Sequence, residues 1–115
     1  MMENSDCLFC KIVKGDIPSS KIYEDDDIFA FNDINPQAPT HILICPKKHI
    51  EKIASMDLED TALIGKVIES AKKIAEDKQI EDYRLVFNNG SGAGQEVFHI
   101  HLHLLAGRPF AWPPG

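Results

Sequence analysis

Between residues 99 and 105 the chain reads HIHLHLL, and no other feature limits its fold so strongly. Successive side chains of a β-strand point to opposite faces, so this period of two predicts a strand, which we place at residues 97–105. Its aliphatic face can be buried, while His99, His101 and His103 share the other face. If these imidazoles are buried, each needs a polar partner. If they lie on the half-exposed face of an ordinary edge strand, Thr, Ser or Lys would suit that face as well as His. The pattern therefore favours a functional site.

Hydrophobic periodicity also predicts a long helix. Apolar residues recur at spacings of three and four, typical of one helix face. This stripe consists of Leu63, Ile64, Val67, Ile68, Ala71, Ile74 and Ala75. The helix should begin near Leu58, behind an Asp57 cap with Asp60 at a capping-box offset.

Shorter patterns complete an α+β domain. They predict a helical turn at residues 8–14, ended by Gly15, and strands at 22–24, 28–31, 40–45 and 83–87. The fold class is therefore α+β, a five-stranded antiparallel sheet with one long and one or two short helices. We expect one domain over residues 1–115, with a loose start at 1–6 and a tail at 107–115.

Charge restricts the possible partners. Among 115 residues, 12 are Lys or Arg and 18 are Asp or Glu, a net charge of −6. This balance disfavours nucleic acid, which is bound by neutralising phosphates, but it allows a small nucleotide in a pocket. The chain has no run of about 18 apolar residues, and its first residues are too polar for a signal peptide. We expect no membrane partner and a cytoplasmic or nuclear location.

The cysteines indicate metal or redox chemistry. There are three, Cys7, Cys10 and Cys45, and an odd number in a reduced protein argues against a disulfide scaffold. Cys7 and Cys10 have the C-x-x-C spacing of metal ligands. Two buried thiols are the plain alternative, since free cysteine packs as a small hydrophobic residue. A thioredoxin-like motif is disfavoured because no βαβ unit surrounds the pair, and Cys45 is assigned to the core.

A glycine-containing loop at residues 88–94, NNGSGAG, directly precedes the histidines. Glycines let the backbone approach a ligand closely, and successive amides can bind an anion. Such a loop is often only a hairpin connection. Its place beside three histidines makes it a candidate phosphate site, to which the amides of Glu96 and Val97 would contribute.

Several ordered segments together resemble one family. HIHLHLL follows the alternating pattern of the histidine-triad superfamily. FNDINPQAPTH at 31–41, PKKHI at 46–50, GQEV at 94–97 and WPPG at 112–115 are similar to its histidine-triad nucleotide-binding (Hint) branch. The resemblance spans about residues 7–115. It implies the HIT-like fold, a homodimer whose Trp112 tail reaches the partner's site, and hydrolysis of the P–N bond in adenosine or guanosine phosphoramidates.

The resemblance also implies catalytic roles. His101, the middle histidine, would be the nucleophile, which suits a neutral imidazole near pH 7. His103 would contact the phosphate or the leaving group, and Asn88 would donate its amide to phosphate. Gln95 would lie near the leaving group. His41 would orient the nucleophile through a relay, although a purely structural histidine explains that residue about equally well.

The family places base and ribose beside the first helix and the Phe-x-Asp segment. The corresponding residues here are Leu8, Phe9, Ile17, Phe31, Asn32, Asp33 and Ile34. Asp33 would accept the ribose hydroxyls, and a local Asx-turn is compatible with that role. Leu8 and Phe9, taken singly, fit a core role better.

Glu96 departs from the serine of many animal members. A carboxylate repels phosphate, so only the Glu96 backbone amide is assigned to the phosphate site. Beside the leaving amine, its side chain would instead favour cationic amines such as lysine.

Zinc-containing relatives use a Cys2His2 set, which corresponds here to Cys7, Cys10, His49 and His99. Such a zinc would be structural and would tie the N-terminal segment to the histidine strand. His99 would then hold metal, leaving the other two triad histidines for the nucleotide. Animal members without these cysteines manage without metal, so zinc is not expected to be needed for the chemistry.

Other functions stay open. A dinucleoside polyphosphate hydrolase belongs to the same superfamily, but the WPPG tail disfavours it. A purine-nucleotide-binding regulatory module would act through protein partners. A zinc-stabilised interaction domain without a nucleotide pocket is the third alternative.

Overall fold

Five antiparallel strands form one sheet in the structure, a computed structural model that describes residues 6–115. The strands are β1 (Lys21–Glu24), β2 (Ile28–Asn32), β3 (Thr40–Pro46), β4 (Tyr83–Phe87) and β5 (Leu102–Ala106), in the spatial order β1-β2-β3-β5-β4. The helices are α1 (Leu8–Lys14) and α2 (Thr61–Asp77), with short 3-10 turns at Ile53–Ser55, Leu58–Asp60 and Ser91–Ala93. The predicted α+β architecture is confirmed. Residues 1–5 of the predicted loose start lie outside the described residues.

Helix α1 begins and ends where the sequence predicts. Its N-cap is Cys7, whose sulfur accepts a hydrogen bond from the Cys10 amide, and its C-cap is Gly15 at φ +88°. Glycine adopts this left-handed conformation without steric cost, which ends the helix after two turns.

Both faces of β3 are buried because a helix covers each side of the sheet. Ile42 and Ile44 join the core beneath α2, while Leu43 and Cys45 join a second core beneath α1. This alternation follows from the strand period of two. The core position predicted for Cys45 is confirmed.

Helix α2 packs its apolar stripe against the sheet, with Val67, Ala71, Ile74 and Ala75 buried. The Asp57 amide donates to the Asp60 carboxylate at 2.9 Å, as a cap at this position requires. The α-helix itself begins at Thr61, because Leu58–Asp60 form a 3-10 turn. Ile68, predicted within the stripe, lies at its edge and is 45% exposed. None of the helices in the described part of the chain is both long and apolar enough to span a membrane.

The predicted strand at 97–105 is wrong over its first half, since β5 begins at Leu102. Leu102 pairs with Ile44 of β3 and with Phe87 of β4, which are the last paired positions on both sides. Beyond them β4 ends, and β3 continues to Pro46 paired with β2, so the residues before Leu102 join no ladder. They follow the segment after β3 instead, through a 2.7 Å hydrogen bond from the Ile100 amide to the Ile50 carbonyl. Of the three histidines, only the last therefore lies within the sheet.

Candidate active site and metal centre

Two cysteines and two histidines meet at the start of α1. Cys7 caps the helix and Cys10 lies in its first turn, so the i, i+3 spacing brings both sulfurs to one side. His49 follows β3 and His99 precedes β5, and the pairing of these strands brings the two rings together. The ligand atoms of this Cys/His cluster all lie within 4.8 Å of one another.

The distances in the Cys/His cluster suit tetrahedral zinc. The sulfurs of Cys7 and Cys10 each lie 3.5 Å from His99 Nδ1, and Cys10 Sγ lies 3.4 Å from His49 Nδ1. Bonds of about 2.3 Å to sulfur and about 2.0–2.1 Å to nitrogen give a sulfur–nitrogen edge of about 3.5 Å in a regular tetrahedron. The four donors therefore fit a closed zinc site.

His99 turns its free nitrogen to the sulfurs because its other nitrogen is occupied. Nε2 donates to the Pro46 carbonyl at 2.7 Å, which leaves the lone pair on Nδ1. The ring is fully buried, and burial lowers the pKa of His99 to about 4. His99 is thus neutral at physiological pH, as a metal ligand must be.

His101 is oriented by the backbone of His99. Its Nδ1 donates to the His99 carbonyl at 2.7 Å, so Nε2 carries the lone pair. Burial lowers the pKa of His101, which keeps the ring neutral. The Phe9 ring packs edge-on against it with centroids 4.9 Å apart, and 8% of His101 is exposed. The site therefore holds a fixed imidazole with an unoccupied Nε2.

A second group, the relay cluster, comprises Asp33, His41 and His103. The Gln37 amide donates to His41 Nδ1 at 3.0 Å, so the proton of the neutral His41 ring is on Nε2. That nitrogen lies 2.9 Å from His103 Nδ1 and 3.4 Å from Asp33 Oδ2, and it donates to the nearer atom. His103 consequently keeps its own proton on Nε2.

Desolvation keeps both relay histidines neutral. It is the main cause that lowers the pKa of His41, where the Asp33 carboxylate opposes it. It is also the main cause that lowers the pKa of His103 to about 4, and the neighbouring His101 and His41 lower it further because a second cation beside them is unfavourable. Neutral rings preserve the one-way chain of hydrogen bonds.

These tautomers decide which cluster suits a metal. The donor atoms of the relay cluster also lie within 4.8 Å of one another. A metal at His41 Nε2 would require the ring proton on Nδ1, where it would oppose the Gln37 N–H. The relay cluster is therefore suited to passing hydrogen bonds, and the Cys/His cluster to holding a metal.

The predicted phosphate loop begins where β4 ends. Asn88 directly follows Phe87, and His101 directly precedes Leu102, the β5 partner of Phe87, so the loop and His101 adjoin the same end of the β4–β5 pair. The loop then returns past the Asn88 side chain: a β-carbon on Gly94, whose φ is +95°, would lie 3.8 Å from Asn88 Nδ2. The Asn88 side chain therefore lies against the Gly94 end of this loop.

Gln95 lies buried beneath this loop. Its Oε1 accepts from the Gly90 amide at 2.8 Å, and its Nε2 donates to the Glu51 and Val97 carbonyls at 2.7 and 3.1 Å. Both ends of its side-chain amide are therefore engaged with backbone.

The predicted nucleoside residues divide into a core and an exposed rim. Phe9 and Phe31 lie in the core beneath α1, with ring centroids 5.3 Å apart, and Ile17 packs against it. Leu8 and Ile34 are exposed, Ile34 at 99%. The prediction that Leu8 fits the core is wrong, whereas that for Phe9 is confirmed.

Asp33 and Asn32 stand where β2 ends. Asp33 Oδ1 accepts a hydrogen bond from the Asn35 backbone amide at 2.8 Å, which forms the Asx-turn that the sequence allowed. The other oxygen, Oδ2, lies 3.4 Å from His41 Nε2. The Asn32 amide donates to Ser20 Oγ at 2.9 Å. One carboxylate oxygen of Asp33 thus shapes the loop, and the other turns to His41.

Glu96 and Trp112 lie in different surroundings. Glu96 is exposed on the wall of a cavity of about 430 Å³, which Glu51, His49 and Asp6 also line. Trp112 is 83% exposed in the tail, which Arg84 of β4 holds through the Ala111 carbonyl at 3.0 Å. Within one chain, the structure therefore places Glu96 beside the Cys/His cluster and leaves Trp112 open.

Three groups that set the tautomers are backbone atoms, and inspection of the sequence missed them. They are the Gln37 N–H, the Pro46 carbonyl and the His99 carbonyl. Almost every residue carries such groups, so residue type offers no signal for them.

Known proteins resemble this chain over nearly its whole length. The sequence profile of the HIT domain matches residues 14–110. An uncharacterized HIT-like protein of Synechocystis is 51% identical over 111 residues, which cover 96% of this chain and 97% of that protein. A 14 kDa zinc-binding protein of Zea mays is 45% identical over 117 residues, covering 99% of this chain and 91% of that protein.

Solved structures agree with the fold. A HIT family hydrolase from Legionella pneumophila superposes with a TM-score of 0.93 at 54% identity, covering 96% of this chain and 100% of that one. A histidine triad nucleotide-binding protein from Candida albicans superposes with a TM-score of 0.81 at 34% identity, covering 94% and 83%.

Proposed function

This chain belongs to the HIT domain family, and on that premise we propose that it is a purine nucleoside 5′-phosphoramidate hydrolase. It would cleave the P–N bond and release AMP or GMP together with the amine, through a covalent nucleotidyl adduct on His101. The Legionella relative is described as a hydrolase and the Candida relative as nucleotide-binding, which supports the reaction class.

One observation carries the proposal: the Nε2 atoms of the neighbouring His101 and His103 rings differ in protonation. Nε2 of His101 has a lone pair, and Nε2 of His103 has a proton. Their ring centroids are 5.0 Å apart. A phosphoryl group placed between them would meet a nucleophile and a hydrogen-bond donor at once, which is what such a transfer requires.

The first step would form a bond from His101 Nε2 to phosphorus while the P–N bond breaks. The departing amine keeps the bonding electrons and takes one proton from solvent. His103 Nε2–H and the Asn88 amide would donate to phosphate oxygens. The adduct makes His101 a cation, and the His99 carbonyl on its Nδ1 stabilises that charge.

In the second step water attacks phosphorus, and the bond to His101 Nε2 breaks. The electron pair returns to the ring nitrogen, the proton of water goes to solvent, and the nucleotide leaves. His41 would hold His103 in its donating tautomer throughout. The exposed apolar residues Leu8 and Ile34 would cover the base, with Asp33 accepting the ribose hydroxyls.

We also propose one structural zinc in the Cys/His cluster. The Zea mays relative is named for zinc binding, which supports this assignment. Four protein donors complete a tetrahedron, so the ion would cross-link α1 to the histidine segment. Thiolate ligands require reduced cysteines, which suits the proposed cytoplasmic location.

A homodimer is the proposed assembly. Ile68 of α2 and Leu85 of β4 are partly exposed apolar residues, and Trp112 is largely exposed. A second copy of the chain could cover such residues. Analytical ultracentrifugation tests this, and a monomer at high protein concentration would contradict it.

The reaction is tested with adenosine phosphoramidate and a rapid acid-free quench. Wild-type protein should release AMP and carry one nucleotidyl group on His101 by peptide mass spectrometry. The variant His101→Ala should lose at least about 10³-fold in kcat/KM, because a covalent nucleophile is removed. An adduct on another residue, or turnover that survives in the variant, would overturn the proposal.

A further inference from the structure

We propose that Gln95 is a positioning residue, which fastens the phosphate loop to the segment that carries His49. The proposal rests on the function given above for the identity of the ligand. The fastening itself rests only on contacts within the chain.

The Gln95 side chain is sealed inside the protein and fully bonded. It is 3% exposed. A primary amide offers one oxygen and two N–H donors. Here the oxygen accepts the Gly90 amide, and the nitrogen donates to the carbonyls of Glu51 and Val97. Contact with a leaving group would break these bonds, so the side chain acts through the loop.

Gln95 closes the loop by two routes. Its backbone N–H donates to the Gly90 carbonyl at 3.1 Å, while its side chain accepts from the Gly90 N–H. Gly90 and Gly94 have φ of +94° and +95°, so glycine is needed there and the free chain would be unusually mobile. The hydrogen bonds at both ends of the turn restrict the loop backbone before a ligand binds, which preorganises the loop amides for an anion.

The same side chain joins this loop to two other segments. Glu51 lies two residues after the metal-ligand candidate His49, and Val97 lies two residues before His99. The Ile100–Ile50 hydrogen bond fastens the same two segments one step further along. Gln95 therefore stands where the phosphate loop, the histidine segment and the His49 segment meet.

The test compares Gln95→Met and Gln95→Glu with the wild type. Methionine keeps the length and removes every hydrogen bond, while glutamate keeps the shape but turns an oxygen toward two carbonyls. Gln79→Glu is the matched control, since Gln79 is exposed just after α2 and the same charge change occurs there. Amide hydrogen exchange over residues 90–97, AMP and adenosine affinity by calorimetry, and kcat and KM are measured.

Both Gln95 variants should exchange the amides of residues 90–97 about tenfold faster and bind AMP about tenfold more weakly. Adenosine, which lacks phosphate, should bind as it does to the wild type, and the control should match the wild type throughout. Amide exchange within α2 reports whether each variant is folded. If Gln95→Met unfolds, the test is made with Gln95→Glu.

Two results would overturn the positioning role. Unchanged loop exchange and AMP affinity with a reduced kcat would place Gln95 directly at the leaving group. Wild-type behaviour of both variants in every measurement would leave Gln95 no role. A wild-type protein that neither binds AMP nor hydrolyses the substrate refutes the proposed function instead, and loop exchange still decides the fastening.

Discussion

His99 of the Cys/His cluster lies two residues before His101, and His103 of the relay cluster lies two residues after it. Backbone hydrogen bonds determine which ring nitrogen faces each cluster, and the outcome is opposite for His99 and His41. His99 donates to a carbonyl, so a lone pair faces its cluster. His41 accepts from an amide, so a proton faces its cluster. The first ring can bind a metal, and the second can only donate. The backbone partner of a histidine therefore decides between these uses.

The largest effect is expected from breaking the Cys/His cluster with Cys7→Ser. Serine retains an N-cap acceptor for α1, so the change isolates the lost metal ligand. Zinc content should fall from one per chain to none, and the free energy of unfolding by about 3–5 kcal/mol. Elemental analysis and urea unfolding measure this, with Cys45→Ala as a core-cysteine control that keeps its zinc. A folded wild type without metal would remove the assignment.

The relay cluster is tested by His41→Leu, with a smaller effect. Leucine has no N–H to donate to His103 Nδ1, so His103 is no longer held in its donating tautomer and kcat should fall about tenfold while KM and zinc content stay unchanged. In this one variant, steady-state kinetics report on the relay cluster and elemental analysis reports on the Cys/His cluster. Wild-type kcat would make His41 a purely structural histidine.

The neutral state of His103 in the relay cluster should appear in the pH dependence of stability. The folded pKa of His103 is lowered to about 4, so the native state binds fewer protons than the unfolded state below the ordinary His value of 6.5. Stability is therefore full above that value and declines as pH falls toward 4. After allowance for the partial exposure of His103, the wild type should lose about 1 kcal/mol more than His103→Gln between pH 7 and pH 5. Equal slopes in urea unfolding would contradict a neutral relay.

The smallest effect is expected at Glu96, which lies beside the Cys/His cluster. Its cavity wall carries further carboxylates, so a cationic leaving amine should be favoured over an uncharged one. Glu96→Ser should lower the ratio of kcat/KM for lysyl against alkyl phosphoramidates by about two- to threefold, since exposed charges are screened. An unchanged ratio would leave Glu96 without a part in specificity.

Local sequence patterns predicted most of the fold. The stripe of α2, the bounds of α1 and the strand at Tyr83–Phe87 all depend on residues within four positions of one another. The start of β5 was missed because the length of β5 depends on how far β3 and β4 pair with it. A strand continues only while a neighbour supplies hydrogen bonds.

The sequence predicted which residues form the candidate site, but not the hydrogen bonds that connect them. C-x-x-C spacing and the resemblance pointed to all four donors of the Cys/His cluster. The buried contacts of Gln95, which tie a loop to a segment 44 residues away, were not foreseen. Residue type shows what a side chain can donate, and only the fold shows which partner receives it.

By itself, the order of amino acids determined the period-two histidine segment, the helical stripe and the spacing of the cysteines, because each is a short-range periodicity of the backbone. The tertiary structure alone decided which nitrogen of each imidazole carries a proton. Those choices depend on which carbonyl or amide the fold sets against each ring, as when the Pro46 carbonyl meets His99 across 53 positions. Backbone groups are the same in nearly every residue, so their effect on chemistry arises only when folding sets them against a side chain.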